Sequence, residues 1–201
     1  ELELPEGITD IEPLAFAYTA LTALRLPSSL RTVGDMAFYC APLTELELPE
    51  GITDIGDDAF AGASFAEIYI PANVTTLESY ALQSNALLRY TVSPDNPVYS
   101  ADADGVLFDK SGKTLVAFPC GREGHYAVPE GVERIGESAF YGCGLSSVTL
   151  PSSLTEIGEN AFAYCMSLAD IRFGGNVTQC SWNSFERTPW WEAQANLSAE
   201  N

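Results

Sequence analysis

Hydrophobic positions recur along this chain with a period of 22 residues, and proline marks each copy. One and three residues before each proline the side chain is aliphatic or aromatic, whereas the positions between are mostly polar. In residues 43–49, for example, Leu46 and Leu48 share one face while Glu45 and Glu47 share the other. This alternation predicts a short strand with one buried face. The marker prolines are Pro5, Pro27, Pro49, Pro71, Pro129 and Pro151.

Two more apolar columns follow each proline. An aliphatic residue six positions later predicts a second short strand, reached through a tight turn that contains glycine, asparagine or serine. An alanine and a bulky residue follow at ten and eleven positions, and they predict one helical or 3₁₀ turn packed between coils. These pairs are Ala15 and Phe16, Ala37 and Phe38, Ala59 and Phe60, Ala81 and Leu82, Ala139 and Phe140, and Ala161 and Phe162.

A period of this length is typical of a repeat solenoid, in which each copy buries its apolar columns against its neighbours. We therefore predict a single domain over residues 1–201. Regular repeats cover 1–93 and 126–185, and an irregular insertion covers 94–125. Within the insertion, residues 106–108 and 114–118 flank turn signals and predict a hairpin.

Residues 186–201 are predicted to form a C-terminal cap or tail. Trp190 and Trp191 lie where the next strand would begin. Bulky aromatic rings there would cover the core and the strand edge that the last coil exposes. Trp182 is expected to help.

The composition is that of a folded protein, with 46% hydrophobic and 18% charged residues. A formal charge of −19 argues against nucleic acid or an anionic membrane as partner. No apolar run is long enough for a spanning helix, so no membrane insertion is expected from this chain. Solubility and protection of strand edges explain the acidic surplus, and an acidic binding surface is the alternative. The start of the chain lacks a targeting signal, which we expect to lie upstream.

No motif predicts catalysis, a metal or a cofactor. The chain has five cysteines without a C-x-x-C pair, and its single histidine is His125. Asp102, Asp104 and Asp109 surround Gly105, but their spacing does not match an EF-hand loop. We therefore expect no enzymatic activity and no calcium site.

The cysteines follow the repeat. Cys40, Cys143 and Cys165 lie in a small-residue column after the phenylalanine, and Cys180 replaces the aliphatic residue of the second strand. These positions predict small buried side chains. A disulfide between Cys143 and Cys165 on adjacent coils is left open.

The repeat resembles the BspA-like, treponemal-type class of leucine-rich repeats. The resemblance lies in the spacing of the leucines before the proline, followed by isoleucine-glycine and alanine-phenylalanine, and it covers residues 1–93 and 126–185. The segment DGVLFDKSGKTLVAFP is similar to a modified repeat that continues such arrays. The resemblance implies a right-handed solenoid with a parallel sheet, and an extracellular or cell-surface bacterial protein that binds host proteins.

Side chains two and four residues before each proline position should face outward in two rows. They vary along the chain while the buried columns do not, as expected of a scaffold with a free surface. We predict that protein binding involves Glu45, Glu47, Glu67, Tyr69 and Arg89, together with Arg25 and Thr91.

The sequence thus predicts a noncatalytic, monomeric, protein-binding scaffold with possible adhesion through its sheet face. One alternative is a structural spacer without a ligand. Another is a carbohydrate-binding module that uses Trp190, Trp191, Tyr69 and neighbouring acids.

Overall fold

The computed structural model describes the backbone of residues 1–199 and the side chains of residues 1–194. The chain forms two compact units, Glu1–Lys110 and Ser111–Asn201. In each unit, strands from successive coils pair in parallel, so the fold is the parallel β-solenoid that the repeat predicts. The assignment of residues 1–201 to a single domain stays a prediction.

Unit 1 contains ten short strands. They are β1 (Leu2–Glu3), β2 (Asp10–Ile11), β3 (Leu24–Arg25), β4 (Thr32–Val33), β5 (Asp54–Ile55), β6 (Glu67–Ile70), β7 (Thr76–Leu77), β8 (Arg89–Val92), β9 (Tyr99–Ala101) and β10 (Leu107–Asp109). β1 pairs with β3, and β6 with β8. The order β2-β4-β5-β7 forms a second parallel sheet.

Unit 2 contains seven strands and one helix in its described residues. They are β11 (Thr114–Ala117), β12 (Gly124–Ala127), β13 (Arg134–Ile135), β14 (Leu145–Leu150), β15 (Glu156–Ile157), β16 (Asp170–Phe173), β17 (Gln179–Cys180) and α1 (Pro189–Ala199). β12, β14 and β16 form one parallel sheet, and β11, β13, β15 and β17 pair in parallel in another.

The core of each unit is a stack of phenylalanine rings. Neighbouring centroids lie 5.1–5.2 Å apart among Phe16, Phe38 and Phe60 in unit 1. The unit 2 stack continues the pattern at 4.7–5.3 Å, in the order Phe118, Phe140, Phe162 and Phe185. The repeat period therefore corresponds to one coil, and each coil of the two stacks contributes one ring.

The segment around each alanine-phenylalanine pair is a ribbon of turns rather than the predicted helical or 3₁₀ turn. Its amides alternate in direction: Ala37 donates to the Gly34 carbonyl within the coil, whereas Phe38 donates to the Ala59 carbonyl of the next coil. The residue before each alanine has φ between 52° and 63°, which a right-handed helix cannot accommodate. These residues are Leu14, Met36, Asp58, Tyr80, Ser138 and Asn160.

The insertion supplies both predicted strands, as β10 and β11, and one that the sequence missed, β9. β9 and β10 are antiparallel and enclose a tight turn in which the Asp102 carboxylate accepts the Val106 amide at 2.9 Å. Ala117 and Phe118 form a hidden copy of the core pair, since Phe118 donates to the Ala139 carbonyl at 2.8 Å.

The cysteines depart from the prediction in two ways. The disulfide joins Cys120 to Cys143, with Cα atoms 4.4 Å apart, so the suggested Cys143–Cys165 pair is wrong. Cys165 is a buried thiol, and burial raises its pKa to about 12. Cys40 and Cys180 are exposed. Cys40 follows its phenylalanine by two residues, whereas the buried Cys143 and Cys165 follow theirs by three, and Cys180 lies on a strand with a single paired neighbour.

Trp190 is the tryptophan that packs on the last coil. Its ring centroid lies 5.0 Å from that of Phe185 and 5.9 Å from that of Phe173. Trp191 is exposed and Trp182 is 84% exposed, so their expected part in covering the coil is wrong. The end of the predicted tail, residues 200–201, lies outside the described residues.

Candidate functional site

The candidate site is the outward face of the strands that precede each proline, here called the ladder face. In unit 1, Glu67 is aligned with Arg89 and Tyr69 with Thr91, between Ile68 and Ile70 that point into the core. Glu3 is aligned with Arg25 in the same way. The structure therefore forms the two predicted rows over these pairs of coils.

The predicted site residues differ in exposure. Tyr69 is 44% exposed, so part of its ring is open to solvent on the ladder face. Thr91 is half-buried, and its hydroxyl donates to the Ile68 carbonyl at 3.2 Å. The exposed charged members are Arg25, Glu45, Glu47, Glu67 and Arg89.

The third coil interrupts the ladder face. Residues 45–48 form no strand, although they alternate between acidic and apolar residues as the repeat predicts. Their amides and carbonyls have no backbone hydrogen bond within the part of the chain that the structure describes. The nearest links to the coils on either side are the Thr44 amide on the Thr22 carbonyl and the Ser64 amide on the Leu43 carbonyl. The predicted strand in residues 43–49 is therefore wrong.

A groove of about 1110 Å³ lies over the interrupted region. Its charged lining consists of glutamates and one arginine: Glu1, Glu3, Glu6, Glu45, Glu47, Glu50 and Arg25. Aliphatic side chains and prolines of the first three coils complete it: Leu4, Leu24, Leu26, Leu46, Pro5, Pro27 and Pro49. The groove joins three of the predicted site residues, Arg25, Glu45 and Glu47, to residues that the prediction did not include.

The glutamates at the turn end of the groove have different surroundings. Glu6 accepts hydrogen bonds from the Ser28 amide and hydroxyl at 3.0 Å each and from the Ser29 amide at 3.3 Å. These donors, the Ser28 amide first, hold the pKa of Glu6 below its usual value. Glu6 is therefore occupied within the protein, whereas no hydrogen bond or ion pair engages the carboxylates of Glu3, Glu45 and Glu47 among the described residues.

The ladder face of unit 2 is less acidic and more self-paired. His125 contacts the Ser147 hydroxyl at 2.9 Å through Nδ1, and Arg172 pairs with Asp170 at 3.1 Å. Ser147 is in turn aligned with Asp170 across β14 and β16. Polar groups on this face thus satisfy one another along and across the strands.

The sequence reasoning missed two tyrosine pairs on the turn ribbon. Tyr18 and Tyr39 meet edge to face at 5.4 Å, and Tyr141 and Tyr164 lie 5.1 Å apart. Tyr18 is 75% exposed. The sequence does contain a signal for these pairs, because each tyrosine follows a core phenylalanine by one or two residues. Since the spacing changes between one and two residues, the tyrosines do not form a column at a fixed position of the repeat.

Within the described residues, no cluster of histidine, cysteine and acidic side chains has the arrangement of a metal site. Asp102, for instance, is engaged by the Val106 amide. No described helix has the length and apolar character needed to cross a membrane.

A family model described as a BspA type leucine rich repeat region matches six copies in residues 1–89 and 120–195. The gap between the two matches, residues 90–119, overlaps most of the predicted insertion, residues 94–125. No curated protein sequence matches the chain.

Several solved structures share the fold. A leucine-rich repeat protein from Eubacterium ventriosum is 25% identical, with a TM-score of 0.71 over 92% of this chain and 57% of its own. A leucine-rich cell surface protein from Faecalibacterium prausnitzii is 28% identical, with a TM-score of 0.70 over 91% of this chain and 62% of its own. The pneumococcal vaccine antigen PcpA, 18% identical with a TM-score of 0.52 over 94% of this chain and 69% of its own, is similar in fold. The chain thus spans about three fifths of the first two proteins.

Proposed function

Because the chain belongs to the BspA type leucine-rich repeat family, we propose that it is a noncatalytic, protein-binding scaffold of a bacterial cell-surface or secreted protein. The observation that carries the proposal is the contrast between its two sets of positions. Core columns stay apolar from coil to coil, whereas the exposed rows of the ladder face change between acidic, basic, aromatic and uncharged polar residues. A rigid array that presents a variable surface is the usual design of repeat proteins that bind other proteins.

The Cys120–Cys143 disulfide supports a location outside the cytoplasm. Disulfides persist in oxidising compartments and are rare where thiols are kept reduced. The protein from Faecalibacterium prausnitzii is itself described as a cell surface protein. Adhesion to host proteins fits such a location.

The binding residues that we propose in the middle of unit 1 are Glu67, Tyr69, Arg89 and Thr91. Tyr69 offers an exposed ring, and the two flanking charges are aligned with each other across β6 and β8. Tyrosine and arginine are enriched where proteins meet.

The test is a solid-phase binding assay of the purified chain against a panel of purified extracellular-matrix and plasma proteins. A partner bound through the ladder face should lose at least about tenfold in affinity with a Glu67→Ala, Tyr69→Ala double variant. A matched control is Glu12→Ala, Tyr18→Ala, which removes the same residue types from the turn ribbon of the same unit. Equal losses in both variants, or no binding to any member, would favour the spacer role.

A further inference from the structure

We propose that the groove over the first three coils of unit 1 binds an extended basic segment of a protein partner. The inference rests on the proposed scaffold function and names the chemistry of what one part of the ladder face would recognise. It concerns the groove lined by Glu3, Glu45, Glu47 and Arg25, and it does not depend on Tyr69.

The groove has an apolar floor, which sets it apart from the rest of the ladder face. Leu46 and Leu26 line it and are half-buried, whereas Ile68 at the position equivalent to Leu46 in the next coil is 2% exposed. Core-column leucines are therefore accessible here and closed off in the neighbouring coil. The groove is open to solvent along the strands and has a volume of about 1110 Å³.

The interruption of the ladder face explains why the floor is open. Residues 45–48 have no backbone hydrogen bond to a neighbouring coil among the described residues, so their peptide groups need water or a ligand. In each remaining coil that forms a strand on the ladder face, this strand pairs in parallel with a strand of at least one neighbouring coil. The third coil is thus the place where the sheet leaves polar backbone unpaired beneath a groove.

The charges around the floor specify the occupant. Glu3, Glu45 and Glu47 engage no hydrogen bond or ion pair among the described residues, and Arg25 is the one basic side chain in the lining. A carboxylate already held by internal donors, as in Glu6, attracts a partner less than one that water alone solvates. An acidic segment would meet like charges, while lysine or arginine side chains would reach the carboxylates and lay their methylene stems along the leucines.

The expected ligand therefore combines apolar side chains for the floor with cationic side chains for the rim, in an extended conformation. Opposite charges at such a surface raise the association rate and select the partner. Binding should weaken as ionic strength rises, because the carboxylates are exposed to solvent and their attraction is screened.

The test uses the full chain and a short fluorescein-labelled peptide in which lysine alternates with leucine, followed by fluorescence polarisation. The comparison peptide replaces every lysine with glutamate. The basic peptide should bind and the acidic one should not. A Glu45→Gln, Glu47→Gln double variant should lose at least about tenfold in affinity, and Arg25→Gln should gain affinity.

The control variant Glu123→Gln, Glu137→Gln changes the net charge equally in unit 2, where both side chains are exposed. The affinity of this control variant for the basic peptide should equal that of the unmodified chain. An equal loss in this control would show that the peptide responds to overall charge, and equal binding of the two peptides would show that charge selects nothing; either result overturns the inference. Binding of the panel proteins through Glu67 and Tyr69 is measured in a separate assay. The scaffold proposal therefore stands even if the groove does not bind the basic peptide.

Discussion

At the scale of single residues, the phenylalanine column supplies the largest fully buried side chains of the core. Phe140 is fully buried between Phe118 and Phe162, with ring centroids 5.0 and 4.7 Å away. The column also accepts leucine, since Leu82 occupies the corresponding position in unit 1 and is 4% exposed. The position therefore requires a bulky apolar side chain and does not require an aromatic one.

Replacing Phe140 tests this requirement. Phe140→Ala should lower the free energy of unfolding by about 3–5 kcal/mol, because the stacked neighbours cannot collapse into the space. Phe140→Leu should cost clearly less. Chemical denaturation of both variants measures the difference, and equal losses would contradict the reliance on volume.

Asp58 combines a left-handed backbone, with φ of 54°, and partial burial. Burial, and then the neighbouring Asp57 carboxylate, raise its pKa above 3.8. The folded state therefore disfavours the charged form, and the resulting penalty grows as pH rises from 3.8 through the folded-state pKa.

Asp58→Asn should be more stable than the unmodified chain at neutral pH, because the amide carries no charge and asparagine tolerates this backbone. The pH-dependent part of the gain should disappear below pH 3.8. Thermal unfolding across pH measures it, with Asp95→Asn at an exposed site as control. A gain that stays constant with pH would show that backbone preference alone is responsible.

The sequence predicted the buried columns at this scale but not the environment of each member. Cys180 occupies an aliphatic column and is nevertheless exposed, because burial in a solenoid depends on a coil lying on each side. The coil that contains Cys120 has fewer residues between its aliphatic column residue and Phe118 than the regular coils have at the same place. The 22-residue period therefore could not predict that Cys120 lies next to Cys143.

At the scale of elements, a glutamate of one turn accepts hydrogen bonds from a serine of the next turn at two places in the chain, and we call this contact the clamp. In each case a Pro-Glu-Gly turn lies next to a Pro-Ser-Ser turn of the following coil, at residues 5–7 with 27–29 and 129–131 with 151–153. The Glu130 carboxylate accepts the Ser152 amide and hydroxyl at 3.0 Å each. These donors, the amide first, lower the pKa of Glu130.

Glu130→Gln tests the clamp through its pH dependence. A lowered folded-state pKa stabilises the fold above the unfolded value of 4.5, and that contribution is lost as pH falls through the folded-state value. The variant should therefore be less stable than the unmodified chain at neutral pH and equal to it in acid. Glu50→Gln is the matched control, since the following coil has Ala72 in place of the serine. An equal loss in both variants at neutral pH would contradict the clamp.

Element by element, the sequence predicted the second row of strands in register but not the pairing of the first. Residues 43–49 keep the alternation of the repeat and form no strand, because pairing depends on how closely the adjacent coils approach and not on one coil's pattern. The groove follows from that missing pairing. Glu45, Glu47 and Arg25 were therefore predictable as exposed residues, whereas their shared cavity was not.

At the scale of the whole molecule, the fold class was fully predictable, because a 22-residue period with invariant apolar columns has few other solutions. The division into Glu1–Lys110 and Ser111–Asn201 was not, although it falls in the turn that the sequence indicated between β10 and β11. In a solenoid, each coil gains its stability from its neighbours, so a local cross-link stabilises mainly the coils next to it.

The Cys120–Cys143 disulfide is such a cross-link, and it lies entirely in unit 2. Because its two cysteines are 23 positions apart in sequence, its removal by a Cys120→Ala, Cys143→Ala double variant should cost about 3 kcal/mol. Amide hydrogen exchange should then accelerate mainly in β12, β13 and β14, and a reductant should have the same effect on the unmodified chain but none on the variant. Cys40→Ala, which removes an exposed thiol from unit 1, is the control. If reduction leaves exchange in unit 2 unchanged, the disulfide does not stabilise these coils, and the argument for an oxidising compartment loses its structural support.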